Sequence, residues 1–301
     1  MIGNKKDLLT LADYTRDEIE LILKTAADLK KIHIKKKADT SLKNKVLGMI
    51  FNKSSTRTRV SFEVGMYQLG GNALFLSKND IQLGRGEPIA DTGRVLERYL
   101  DGIMIRTFSQ DEVRELAENT SIPVINGLTD LYHPCQVLSD LFTIREKRGR
   151  LEGIRLAYVG DGNNMANSIA IASSIMNISC AIASPPSYEV AQSIRDKTSP
   201  CVVYTNDAAE AAENADVLYT DVWASMGHED EALMRKKAFT GYQISAELAS
   251  KAKNDYIFLH CLPAHRGEEV SSEVIDSTHS MIFDQAENRL HTQKAVLKLL
   301  L

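Results

Sequence analysis

Apolar and polar positions along this 301-residue chain alternate between two patterns. Short apolar runs at 46–51, 72–76, 102–106 and 122–125 are separated by stretches of helical periodicity at 57–69, 88–99 and 109–119. Ahead of them, Thr15-Arg16-Asp17-Glu18 has the form of a capping box, with Ile19, Ile22, Leu23, Ala26 and Leu29 behind it at helical spacing. This strand–helix alternation predicts a parallel sheet covered on both faces. A helix over 134–148 runs into the charged, glycine-punctuated REKRGRLEG, where a domain boundary is expected. The rhythm then restarts. Strands are predicted at 154–159, 179–183, 201–204, 216–220 and 256–260, with a short one at 281–283. Helices are predicted at 163–177, 187–197, 206–214, 245–252 and 285–301.

The expectation is an α/β fold: two doubly wound parallel-sheet domains joined by interdomain helices, with the active site in the cleft. The length suits two domains of about 150 residues each. The first would cover 1–133, with helix 285–301 packing back on it; 134–148 would link it to a second over 149–284. In such folds ligands bind at the carboxyl ends of the strands, so the residues after each strand carry the chemistry.

Composition narrows the partners. Hydrophobic residues make up 44%, charged residues 25%, and the net charge is −4, so no global field draws the chain to nucleic acid or anionic lipid. The lysines at 30, 31 and 35–37 read as a solvated face at a helix end. Cysteines 135, 180, 201 and 261 form no C-x-x-C pair, no zinc spacing and no disulfide framework, which fits a reducing compartment. The N-terminal MIGNKKDLLTLADY has no signal-peptide core, and no apolar run approaches ~18 residues. A cytoplasmic protein without a membrane span is expected.

After strand 46–51 comes Ser54-Ser55-Thr56-Arg57-Thr58-Arg59, four hydroxyls and two arginines in six residues at the start of a helix. A helix start offers unpaired N–H groups, the hydroxyls add donors, and Arg57 adds a forked cation suited to phosphate. The cluster is no Walker A loop, because G-x-x-x-x-G-K-[ST] is absent. Arg106 ends the strand 102–106, where it either enters the cleft or snorkels to water. Pro134 suits a first helical position, which sets His133 at the helix lip and Gln136 in its first turn. Beside an anion site and two arginines, His133 reads as a polar hand aimed at a carbonyl.

In the second half, LAYVGDGNNMANS carries Gly160-x-Gly162 but has Met165 at the third glycine position, and no acidic residue ends the next strand. The nicotinamide reading is therefore weak, and Asn163 and Asn164 suit a polar ligand better. Asp221 ends strand 216–220, and Ser225-Met226-Gly227 suggests a mobile loop. Cys261 is either a nucleophile or a small buried residue. His260 and His265 flank it, but no carboxylate at ligand spacing completes a metal site. No metal and no cofactor is expected.

The ordered set S-T-R-T-R, H-P-C-Q, D-V-W-x-S-M-G and H-C-L-P resembles the aspartate/ornithine carbamoyltransferases, over essentially the whole chain, and within them the ornithine carbamoyltransferases. The first motif belongs to the superfamily at large; S-M-G and H-C-L-P discriminate. One local departure, Ala224 at the variable position of D-V-W-x-S-M-G, puts nothing in doubt. The resemblance implies a carbamoyl-phosphate-binding first domain and an L-ornithine-binding second one. It implies that Ser55, Thr56, Arg57, Thr58 and Arg106 hold the phosphate, that His133, Gln136 and Arg106 address the carbamoyl group, and that Cys261, Leu262 and Arg289 complete that pocket. Asn164, Asp221, Ser225 and Met226 match ornithine-binding positions. Gln82 matches a residue lent to the neighbouring subunit's site, which implies a homotrimer or a multiple of trimers. The implied reaction gives L-citrulline and phosphate, in arginine metabolism and amino-acid biosynthesis, with Arg57, Arg106, His133, Asp221 and Cys261 as its catalytic groups. Competing readings are a carbamoyltransferase for putrescine or another amine, and a non-catalytic α/β binding protein.

Overall fold

The computed structural model describes residues 7–79, 81, 86–224 and 231–301. The chain divides into two compact units, Met1–Phe142 with Glu287–Leu301, and Thr143–Ala286. In chain order the first unit contains α1 (Arg16–Ile34), β1 (Val46–Phe51), α2 (Thr56–Gln68), β2 (Asn72–Ser77), α3 (Ile89–Leu96), β3 (Gly102–Arg106), α4 (Gln110–Glu118) and β4 (Val124–Leu128). Next comes α5 (Pro134–Arg148), within which the first division falls. The second unit continues with β5 (Arg155–Val159), α6 (Asn164–Met176), β6 (Ser179–Ala183), α7 (Gln192–Arg195), β7 (Val202–Thr205), α8 (Ala208–Ala212) and β8 (Val217–Thr220). It ends with α9 (Ala232–Ala238), α10 (Ala246–Ala249), β9 (Ile257–His260), α11 (Ser272–Ile275) and the start of α12 (Ile282–Leu300), within which the second division falls.

The first unit's sheet has the order β2-β1-β3-β4 and is parallel throughout. β1 is central, and Leu47 and Met49 to Phe51 are buried. From β1 the chain moves outward to β2 and then crosses to β3 on the other side. The two directions of winding part between the carboxyl ends of β1 and β3, the switch point at which such sheets bind ligands. Phe51 pairs with Arg106 there, and the Asn52 N–H donates to the Arg106 carbonyl at 2.8 Å. The β3–β4 register shifts between Ile105 and Arg106. Such bulges re-aim a side chain beside a site. Gly127 lies against this bulge: a Cβ there would come 2.6 Å from Met104 Sδ and 3.2 Å from the Ile105 carbonyl. The Thr15/Glu18 capping box is present at the start of α1. Within the same unit α12 packs closely on α2, since a Cβ on Gly65 would lie 3.3 Å from Lys294 Cγ.

The second unit's sheet has the order β7-β6-β5-β8-β9, again all parallel. Its switch point lies between β5 and β8. Both glycines after β5 have local reasons. Gly160 has φ +154°, and a Cβ on Gly162 would sit 2.4 Å from the Glu189 carbonyl carbon and the Val190 nitrogen.

Three expectations need correction. The run 281–283 is not a strand. Ser280 makes one isolated bridge to Phe258, and α12 starts at Ile282, with the Gln285 N–H donating to Met281 O at 2.8 Å. Ile282 and Gln285 are buried while Phe283 is exposed, and burial three residues apart is the spacing of a helix face. The helix expected at 187–197 contracts to α7. Ser187 has φ +73°, and the Tyr188 carbonyl accepts from the Gly162 N–H at 2.8 Å, so this stretch is spent as a loop against the β5–α6 turn. The strand expected at 122–125 runs over 124–128 instead: buried Asn126 is compatible with a strand because its amide donates to Leu9 O and Gln110 Oε1.

Gly162→Ala is expected to destabilise the chain by roughly 1–3 kcal/mol, because the clash is with backbone and no side chain can turn away. Urea unfolding with an unchanged midpoint would contradict the close approach.

Candidate functional site

At the first switch point the sequence makes a helix start rich in donors. Ser55 caps α2: its Oγ accepts from the Thr58 N–H at 3.2 Å and donates to Thr58 Oγ1 at 3.1 Å. Thr56 is the first residue of α2 and is exposed. Thr58 is fully buried, and Arg289 of α12 donates to its Oγ1 at 2.7 Å. The same guanidinium donates through Nη1 to Gln136 Oε1 at 2.9 Å, and Gln136 Nε2 donates to Asp140 Oδ1 at 2.9 Å. One arginine thereby joins the start of α2 to the first turn of α5. Arg106 is buried at the end of β3. His133 is buried on the residue before Pro134, its carbonyl accepting from the Gln136 and Val137 N–H groups. Burial first, then the charges of Arg289, Arg106 and Arg57, holds its imidazole well below the ordinary range. The His133 ring is therefore held neutral by burial and by the charge of three guanidinium groups. Such an ensemble offers hydrogen bonds and positive charge to an anion or a developing oxyanion.

The second unit gathers a carboxylate, an amide and a thiol. Asn163 caps α6, accepting from the Met165 and Ala166 N–H groups at 2.9 and 3.3 Å. Its Nδ2 donates to Asp221 Oδ2 at 2.8 Å. Asp221 Oδ1 accepts from the Val222 N–H at 2.8 Å and from Cys261 Sγ at 3.0 Å. Asp221 is buried, just past β8. Three loops, after β5, β8 and β9, thus meet through side chains. Leu262 takes φ +58°, and its N–H donates to His260 Nδ1 at 2.9 Å. That leaves the ring hydrogen on Nε2, which faces the buried Glu269 Oε1 at 3.1 Å.

Among the expected residues, Ser55, Thr58, Gln136 and Arg289 are joined directly, and Arg57 and Arg106 act on His133 through their charge. Asp221 and Cys261 are joined, with Leu262 beside them. Asn164 opens α6 next to the cap. Gln82, Ser225 and Met226 lie outside the described residues. Two positions carry more than the sequence reading assigned. Asn163 rather than Asn164 is the amide bonded to Asp221; its signal was the cap position ahead of an apolar helix. Arg235 of α9 donates to Asp161 Oδ2 and to the Trp223 carbonyl, both at 2.9 Å, and ties the β5–α6 turn to the residues after β8. No motif pointed to it.

Residues 6–146 match the carbamoyl-phosphate-binding domain of the aspartate/ornithine carbamoyltransferases, and residues 152–300 match the aspartate/ornithine-binding domain of the same group. An ornithine carbamoyltransferase of Oceanobacillus iheyensis is 56% identical, over 98% of this chain and 94% of that protein. One of Bacillus subtilis is 54% identical, over 98% and 94%. The solved ornithine carbamoyltransferase from Pyrococcus furiosus superposes with a TM-score of 0.95 at 50% identity, covering 98% of this chain and 96% of that one.

A histidine whose pKa is lowered by folding makes the unfolded state the tighter proton binder. Its contribution is fully present above the unfolded pKa of about 6.5 and is lost as pH falls toward the folded value. His133→Gln is therefore expected to flatten the fall in unfolding midpoint between pH 7.5 and 5.5 relative to the parent chain. An identical slope in both would show that His133 takes up its proton at the ordinary pH.

Proposed function

The chain belongs to the aspartate/ornithine carbamoyltransferase family, and on that premise we propose that it transfers the carbamoyl group of carbamoyl phosphate to the δ-amine of L-ornithine, giving L-citrulline and phosphate. The observation that carries the donor half is buried Arg289 donating to Thr58 at the start of α2 and to Gln136 in the first turn of α5, beside buried His133, whose imidazole burial and the charges of Arg289, Arg106 and Arg57 hold well below its ordinary range. In this reading Ser55, Thr56, Arg57, Thr58 and Arg106 grip the phosphate. Arg106, His133 and Gln136 polarise the carbamoyl oxygen, and Cys261, Leu262 and Arg289 complete the pocket. Such preorganised donors and cations strengthen as negative charge develops on the tetrahedral species, at little reorganisation cost.

The acceptor half rests on Asp221. Ornithine brings a side-chain ammonium that, like lysine, has a pKa near about 10 and must lose a proton before it attacks. Asp221 and Cys261 orient that nitrogen as it reacts, while Asn164, Ser225 and Met226 hold the rest of the amino acid. The thiol donates to a carboxylate, which suits an orienting group better than a nucleophile. A carboxylate at this position favours a cationic amine over aspartate as acceptor.

The same reading includes a homotrimer, or a multiple of trimers, in which Gln82 completes a neighbouring subunit's site. Edge strand β2 exposes Leu74 and Phe75, and α2 exposes Val60 and Tyr67, an apolar surface of the kind that self-association covers. Cytoplasmic residence is supported by four cysteines in no disulfide. Among the described residues no helix is long and apolar enough to cross a membrane.

The test is a ureido-product assay with carbamoyl phosphate and, separately, L-ornithine, putrescine, N-acetyl-L-ornithine and L-aspartate. Turnover is expected to be dominated by L-ornithine. Turnover with putrescine instead would keep the donor half and overturn the acceptor half, and no turnover with any amine would favour a binding protein. Arg57→Met is expected to lower kcat/KM by about 10²–10³, the cost of removing one oxyanion or phosphate donor. Initial-rate patterns are expected to intersect; parallel lines would indicate a covalent carbamoyl-enzyme on Cys261.

A further inference from the structure

Beyond Cys261 the chain turns back through His265-Arg266-Gly267-Glu268-Glu269. Here His265, Glu268 and Glu269 each bring one donor atom to within 4.8 Å of the others. Glu269 makes this more than a surface acidic cluster. Its side chain is 0% exposed, against 55% for His265. Its Oε1 accepts from the His265 N–H at 2.6 Å and faces His260 Nε2 at 3.1 Å. Its Oε2 is buried and, among the described residues, has no hydrogen-bond partner. A carboxylate oxygen accepts and cannot donate, so in that position it calls for a donor or a cation.

What Oε2 faces is His265 Nδ1, 4.0 Å away. That is too long for a hydrogen bond. It is close to the span of a carboxylate and an imidazole on opposite sides of one zinc-sized ion, each about 2.0–2.2 Å from it. A tetrahedral ion would draw the two closer by about half an ångström, which an exposed histidine on a short turn can supply. Glu268 Oε1 now holds Lys236 Nζ at 3.3 Å, an exposed contact that an ion would displace.

We propose that His265, Glu268 and Glu269 form a binding site for a divalent transition-metal ion of the zinc class, with water completing its shell. One imidazole and two carboxylates suit such an ion better than magnesium, which prefers oxygen alone. The ion would sit on the oxygen of Glu269 that faces away from His260, so it would brace the turn that follows Cys261 and take no part in the transfer. The neighbouring trio Asp221, His260 and Cys261 is a poorer candidate. His260 Nδ1 accepts from the Leu262 N–H and its Nε2 faces Glu269, so both ring nitrogens are engaged.

The experiment uses the full chain carrying Cys261→Ser, which removes the thiol as a competing ligand. After chelator treatment, zinc chloride is titrated in by calorimetry. One zinc per chain is expected to bind at micromolar concentration. Adding His265→Ala, or Glu268→Gln, is expected to weaken it at least tenfold. His265 is exposed and Glu268 is half-buried with its side chain 41% exposed, so both variants are expected to keep the zinc-free unfolding temperature, and zinc is expected to raise that temperature in the Cys261→Ser chain but not in the His265→Ala one. Loss of all zinc binding with Cys261→Ser alone, or unchanged affinity with His265→Ala, would overturn the site.

Discussion

The first unit is arranged around one electrostatic constraint: Arg289, Arg106 and Arg57 act together on a single buried imidazole. Charge gathered in a desolvated place is costly unless it is compensated. The chain meets that constraint with neutral partners. His133 stays unprotonated, Thr58 and Gln136 accept from Arg289, and the N-terminus of α2 adds oriented N–H groups. An anion bound beside these guanidinium groups would offset the repulsion among them. Its position follows from topology, because a sheet ordered β2-β1-β3-β4 parts its connections where Phe51 pairs with Arg106.

The second unit uses the same geometry with the opposite sign. Its switch point holds Asp221, whose two oxygens are claimed by the Val222 N–H, Cys261 and Asn163. A carboxylate fixed by donors from three loops is ready to receive a cation without rearranging. Under the proposed function, the first unit would stabilise an oxyanion and the Asp221 carboxylate would attract an ammonium, the two demands of acyl transfer to an amine.

Much of this was legible in the sequence because the informative residues sit at strand ends, where apolar runs stop abruptly. Ser55, Arg57, Arg106 and Asp221 are all found that way, and the boundaries of β1, β3, β6 and α5 fall where periodicity puts them. What escaped depends on partners distant in sequence. Asn163 reads as one of two amides for a polar ligand until Asp221, 58 residues on, is seen to accept from it. The glycines at 160 and 162 imitate a nucleotide fingerprint, yet Gly162 is required by the Glu189–Val190 backbone crossing it. Met281, Ile282 and Phe283 are three apolar residues in a row, which a strand and a helix start share; only the hydrogen bond from Gln285 to Met281 decides between them. No carboxylate was read at ligand spacing to His265, because the burial of Glu269 against His260 is a tertiary fact.

The claim on which the account rests is that the first unit's arginines and His133 form an anion site in their own right, before any amine is present. The direct measurement is an equilibrium titration of the full chain with carbamoyl phosphate alone, for the parent and for Arg289→Met. The account predicts saturable binding to the parent without amine, and at least a tenfold loss when the guanidinium that joins Thr58 to Gln136 is removed. Binding that appears only after ornithine is added, or that is untouched by Arg289→Met, would contradict it.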